Sequence, residues 1–309
     1  MKKLISGTTA YAVFSGDIES NRISHAYMVH FQDADNMREV LKFFALKFFG
    51  VTEDDPDGKR IMNETLPDLK ILPEEGKKLT VDSASALLAD SALKPLEGEK
   101  KLFVICSFNE ATALVQNKLL KTLEEPPEGV YFLLGATSLS PVLDTVKSRV
   151  KGLTIPPFSE SEIFEALERA GSNPLNRQAS ESCGGILGIA QNMVKGEWFA
   201  TVTEAAREIC STSSLSSVGE VAIKYGDIKY KAELLSAIAM NYHKALCKRV
   251  NGEGSDIASC FETPALIYAG WRADKACRDL KFNAFFQGLL YDLMLCIIEE
   301  NDKWLKLRG

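Results

Sequence analysis

The feature that most constrains this chain is a single change of hydrophobic period along its length. From Leu4 to about Phe158, short apolar runs alternate with longer stretches whose apolar residues recur at helical spacing, as in an α/β domain with a mainly parallel sheet. The runs are Ala26 to His30, Leu69 to Leu72, Leu102 to Cys106, Tyr131 to Gly135 and Gly152 to Ile155. Between them, Met37, Val40, Leu41, Phe44 and Phe48 form one apolar face of a helix expected over 35–49. A second helix, expected from Ala111 to Leu123, closes at Glu124-Glu125-Pro126-Pro127, where two prolines cannot continue it.

After Pro156-Pro157 the strand signals vanish. Ser159-Glu160-Ser161-Glu162 reads as a helix start, because the serine can cap orphan amides and early carboxylates suit the positive helix end. The helical pattern pauses at Gly184-Gly185, resumes from Ile189 to Val194, and continues beyond Trp198 with loops at 211–217 and 251–255. A chain of 309 residues exceeds the roughly 100–200 residues of one typical domain. The expected division is an α/β domain at 1–158, a small helical lid at 159–197 and an all-helical domain at 198–309.

The charge balance of 36 Lys and Arg against 42 Asp and Glu gives −6, which argues against a protein that coats nucleic acid through a bulk positive field. Seven cysteines, at 106, 183, 210, 247, 260, 277 and 296, contain no C-x-x-C pair, so neither a zinc ribbon nor a disulfide framework is expected. The first residues carry two lysines but no sustained apolar run, and with unpaired thiols this leads to the expectation of a cytoplasmic chain. The most apolar stretch, Phe282 to Ile298, is interrupted by Asn283, Gln287 and Asp292 and reads as a buried helix rather than a membrane span.

Four motifs occur in a fixed order. They are Ser24-His25-Ala26-Tyr27 leading into a strand, Pro67-Asp68-Leu69 before another, the run Asn117-Lys118-Leu119-Leu120-Lys121-Thr122-Leu123-Glu124-Glu125-Pro126-Pro127, and Ser148-Arg149. In this order they resemble the bacterial clamp-loader branch of the AAA+ ATPases, delta-prime subunits of DNA polymerase III in particular, over about residues 1–195. The resemblance implies an AAA+ α/β domain with a P-loop NTPase-like parallel sheet, a helical lid, and a C-terminal helical collar through which subunits form a ring.

The chain departs from an active member at three places. A P-loop uses glycines so that backbone amides can close around phosphate, and a lysine to meet the β and γ phosphates. The corresponding residues here are Phe31-Gln32-Asp33-Ala34-Asp35-Asn36-Met37-Arg38, with Asp33 and Asp35 opposing phosphate charge. The Asp-Glu pair that organises Mg²⁺ and orients water in active relatives is replaced by Cys106-Ser107. In the lid, Gly185-Ile186-Leu187-Gly188-Ile189-Ala190 places Ile189 at the position of the family's phosphate-reaching arginine. No nucleotide cofactor is expected, and no metal, since 49–67 holds no cysteine for the zinc module that many relatives insert there.

One element of the chemistry survives. Ser148-Arg149-Val150 matches the family's Ser-Arg-Cys motif, in which the arginine enters the adjacent subunit's ATP site and stabilises charge on the transferred phosphoryl group. Arg149 is therefore the candidate catalytic residue, an arginine finger acting in trans, with Ser148 as its motif partner. The resemblance implies a non-hydrolysing stator subunit, whose partners are motor-type (gamma/tau-like) and delta-like subunits and, indirectly, the sliding clamp and primed DNA, with no membrane. Two rival readings are a divergent ATPase subunit that binds nucleotide through an unusual loop, and an AAA+ scaffold that has left the replisome. Thr137 and Ser138, at a polar sensor position after a core strand, read as vestigial, His25 as structural, and Glu124 and Glu125 as structural or interface groups.

Overall fold

The computed structural model describes residues 1–280 and 285–308, in two compact units, Met1–Asn192 and Met193–Gly309. In the first, α1 (Lys2–Ser6) and α2 (Thr9–Glu19) precede β1 (Ala26–His30), followed by α3 (Ala34–Phe49), α4 (Pro56–Met62) and β2 (Leu69–Leu72). Next come α5 (Val81–Ser91), β3 (Lys101–Ile105), α6 (Ala113–Glu124), β4 (Val130–Ala136), α7 (Asp144–Lys147) and β5 (Lys151–Thr154). The helices α8 (Glu160–Ala170), α9 (Asn176–Ser182) and α10 (Leu187–Lys195) then follow.

The five strands form one sheet in the order β2-β3-β4-β1-β5, with every pairing parallel. Parallel strands need crossover connections, and the intervening helices cover both faces of the sheet. On one face Met28, Phe103, Ile105, Phe132 and Leu134 pack with Leu87 of α5 and Val115, Leu119 and Leu123 of α6. On the other, Phe14 of α2 meets Tyr27 and Phe44 edge-on or tilted, and Met37 and Leu41 of α3 close over Gly135. Burial on both faces is why the central strands β1, β3 and β4 read as nearly continuous apolar runs, whereas the edge strands β2 and β5 keep exposed positions such as Lys70 and Lys151.

Charged side chains buried in this unit include Asp33, Asp68 and Lys101. Lys101, 2% exposed, is neutralised by Asp90, whose Oδ1 accepts from Nζ at 2.7 Å and whose backbone carbonyl accepts at 3.0 Å.

The strands lie within a residue of the apolar runs in the sequence. Expected at Ala111, α6 begins instead at Ala113, because Phe108–Glu110 form a 3₁₀ turn and Thr112 becomes the N-cap, its hydroxyl accepting from Val115 N. The start of α8 is a capping box: Ser159 Oγ accepts from Glu162 N at 3.3 Å, and Glu162 Oε2 accepts from Ser159 N at 2.9 Å.

The second unit is helical: α11 (Glu197–Ser211), α12 (Leu215–Gly226), α13 (Lys231–Val250), α14 (Asp256–Cys260), α15 (Thr263–Asp279) and α16 (Phe286–Arg308). Its core gathers Leu234, Leu235, Ile238 and Tyr242 of α13, Leu266, Ala269 and Ala273 of α15, and Leu290, Leu293 and Ile297 of α16. Small residues on α15 let the helices approach closely; a Cβ at Gly270 would lie 2.9 Å from His243 Cε1 on α13. Of the apolar stretch Phe282 to Ile298, residues 282–284 lie outside the described residues, and from Phe286 onward it is helical. Among the described residues no helix is long and apolar enough to cross a membrane.

Candidate functional site

Because all five strands run the same way, the loops after β1, β3 and β4 gather at one edge of the sheet, the edge where parallel α/β folds carry their sites. The eight residues after β1 form little of a loop. Only Phe31, Gln32 and Asp33 separate β1 from α3, and residues 34–38 already belong to the helix. Phe31 is buried edge-on against Phe158. Asp33 is the N-cap of α3, its Oδ1 accepting from Asn36 N at 3.2 Å, and it is only 2% exposed.

The next side chains turn away from the edge. Met37 is buried with Sδ over Gly135, where a Cβ would come within 2.7 Å. Arg38 reaches back across the domain: Nε donates to Glu64 Oε1 at 2.7 Å, Nη2 to Glu64 Oε2, and Nη1 to the Pro73 carbonyl at 2.8 Å. Lys42, one turn on, also pairs with Glu64 at 2.7 Å. Chiefly through the bond from Arg38, and then through Lys42, the Glu64 carboxyl is held down at about 2 despite partial burial. The pair anchors an unusual backbone, since Glu64 has φ of 60°, a left-handed conformation for a side-chain-bearing residue.

At the end of β3, Cys106 is buried, and burial pushes its thiol up to about 11, against the opposing pull of Arg38. Ser107 is also left-handed, at φ 50°, and opens the 3₁₀ turn. Asn109 in that turn accepts from the Thr137 backbone N–H at 2.9 Å, which ties the loops after β3 and β4 together, and Ser138 Oγ accepts from Ser140 N at 3.3 Å within its own loop. Among the described residues no cluster of His, Cys, Asp and Glu could hold a metal ion.

The same edge is covered by α10. Gly185, at φ 78°, lets the chain pass against Phe158, where a Cβ would come within 2.5 Å of the Phe158 carbonyl. The Gly188 backbone N–H donates to Asp33 Oδ2 at 2.8 Å, Asn36 Nδ2 donates to Gln191 Oε1 at 3.2 Å, and Asn192 Nδ2 donates to Asp35 Oδ2 at 2.8 Å. Ile189 is 41% exposed and takes no part in this contact.

Arg149 follows the short helix α7, whose C-cap is Ser148. Its guanidinium is tied to Glu124, the last residue of α6, with Nε donating to Oε1 at 2.6 Å and Nη2 to the same oxygen. Nη1 donates to the Thr145 carbonyl at 2.6 Å and to Ser148 Oγ at 3.2 Å. The side chains of Arg149 and Glu124 are 30% and 46% exposed. Glu124, expected from the sequence to be a structural or interface group, thus pairs with Arg149, and the Glu-Glu-Pro-Pro and Ser-Arg motifs meet in space. His25 is bound through Nε2 at 2.7 Å to the Leu123 carbonyl at the same helix end.

A family model described as "DNA polymerase III, delta subunit" matches residues 7–159. The chain is 29% identical over 163 residues to the DNA polymerase III subunit delta' of Bacillus subtilis, a match covering 51% of this chain and 50% of that protein. It is 30% identical over 158 residues to the tau/gamma subunit of Haemophilus influenzae, covering 48% of this chain and 23% of the other. The chain thus spans about half the length, or less, of these relatives. Among solved structures, a gamma-subunit-related protein of Thermotoga maritima matches with a TM-score of 0.44 at 15% identity, over 94% of this chain and 99% of the other. The clamp-loader delta protein of Bacillus subtilis matches with a TM-score of 0.37 at 11% identity, over 94% and 100%. Through residues 7–159, which hold the parallel sheet, the chain belongs to the family described as DNA polymerase III, delta subunit.

Proposed function

We propose that this chain is a delta-prime-like subunit of a bacterial clamp loader that does not hydrolyse ATP itself and supplies Arg149 to the nucleotide site of a neighbouring motor-type subunit. The observation that carries this reading is the contrast between its two phosphate-directed features. The chain's own phosphate position does not fit a nucleotide: a three-residue loop cannot wrap phosphates, Met37 is in the core where a lysine is needed, and the amides opening α3 and α10 meet Asp33. Arg149, in contrast, lies partly exposed on a short tether, held by a carboxylate that is itself nearly half exposed.

Exposed ion pairs contribute about 0–1 kcal/mol, so exchanging Glu124 for a phosphoryl oxygen costs Arg149 little. A planar guanidinium can then meet two oxygens at once and balance charge that develops on the transferred group. Residues 159–197 would act as the lid and 198–309 as the collar that joins the ring, with gamma/tau-like and delta-like subunits as partners and the sliding clamp and primed DNA engaged by the assembly. The acidic balance of the chain supports a role in which DNA is not gripped through bulk charge.

The reading is tested by mixing the purified full chain with motor-type and delta-type subunits from the same source and measuring mass by light scattering. A single hetero-oligomer containing this chain is expected. Separate species even at low salt would overturn the assignment.

A further inference from the structure

Asp33 joins the starts of two helices that are far apart in the chain. Its Oδ1 accepts from the backbone N–H of Asn36, in the first turn of α3, at 3.2 Å. Its Oδ2 accepts from the backbone N–H of Gly188, the second residue of α10, at 2.8 Å, and from Asn36 Nδ2 at 2.8 Å. The positive ends of two helix dipoles therefore converge on one carboxylate that is almost fully buried. Burying that charge costs free energy, and three N–H donors offset it.

Gly188 makes the approach possible. A Cβ there would lie 2.4 Å from Asp33 Oδ1 and 2.9 Å from Asp35 Cβ. Amides at helix starts converging on an anion are the usual way a protein binds a phosphate group. Here the anion belongs to the chain itself.

We propose that Asp33 is a built-in stand-in for a phosphate group, which clamps α10 onto the α/β sheet edge without any nucleotide. The clamp needs no external ligand, so the position of α10 is independent of ATP. This deepens the reading of a subunit that does not hydrolyse ATP and rests on it for its biological sense. Its geometry, however, lies wholly within residues 1–192 and requires no partner.

The test is hydrogen exchange followed by mass spectrometry on the full chain, with inorganic phosphate as the probe and chloride at equal ionic strength as the control. Asp33→Ala is expected to speed exchange in peptides covering 186–192 by about tenfold or more, the loss of one charged hydrogen bond. Phosphate at tens of millimolar should then slow that exchange again, chloride should not, and the wild type should respond to neither. Asp33→Asn, which fills the same space without the charge, should also exchange faster but gain nothing from phosphate.

Unchanged exchange in both variants overturns the proposal. So does acceleration in Asp33→Ala that phosphate reverses no better than chloride, since Asp33 would then be an ordinary helix cap. If the alanine variant does not fold, wild-type exchange in the asparagine variant is by itself the contrary result. None of these outcomes depends on whether Arg149 acts on a neighbour.

Discussion

At the scale of single residues, cations that look alike in sequence are held in opposite ways. Arg38 is locked by Glu64 and the Pro73 carbonyl within the domain, whereas Arg149 is bound to a carboxylate at the surface. The Glu64 carboxyl, at about 2 against an ordinary 4.5, gives a stability signature with a definite sign. A lowered carboxyl stabilises the fold fully above its unfolded value and loses that contribution as pH falls through 4.5 toward 2. Glu64→Gln should therefore cost about 1–2 kcal/mol at pH 7 by urea denaturation, and the difference from wild type should fall to roughly half by pH 3. A difference that stays constant with pH would show that the cost is lost packing around the left-handed backbone rather than lost charge. The partners of these residues were not legible in the sequence. Glu64 and Arg38 are 26 positions apart, and Glu124 and Arg149 are 25 apart, spacings that no helix or strand period connects.

At the scale of elements, the central strands β1, β3 and β4 were legible because burial on both faces leaves a nearly continuous apolar run, and α8 because its capping box is written in Ser159 and Glu162. The start of α3 was legible only in part. Asp33 and Asp35 were readable as charge opposed to phosphate, but that α3 begins at Ala34 and takes up most of the loop depends on Asp33 capping it, and on α10 arriving from 155 residues away. The Gly185 to Gly188 spacing pointed to a family motif. Its physical use here, a close approach of α10 to Asp33, needs the fold. Gly188→Ala should accordingly destabilise the first unit by about 1–3 kcal/mol in thermal or urea denaturation, because the new methyl meets a buried carboxylate that cannot move away freely. Gly152→Ala, on β5 with open space around its Cβ position, is the matched control and should be close to neutral.

At the scale of the whole molecule, the change of hydrophobic period near Phe158 marks a real change of structure, from a parallel sheet to helices. The helices α8 and α9 nevertheless group with the sheet in the unit that runs to Asn192, and the second unit begins at Met193. Helical periodicity reports which face of a helix is buried and not what buries it, so the grouping could not be read from the pattern. For the same reason the second unit's role as a collar is part of the proposal, as is the neighbour to which Arg149 would be presented. An arginine finger contributes about 10³–10⁵ to phosphoryl transfer in the systems where one operates, far more than an exposed ion pair contributes to stability. The most direct measurement is steady-state ATP turnover by the reconstituted assembly carrying Arg149→Ala, with its mass checked in the same preparation. The account predicts an intact assembly whose turnover falls by at least about tenfold. Wild-type turnover in an intact Arg149→Ala assembly would contradict it.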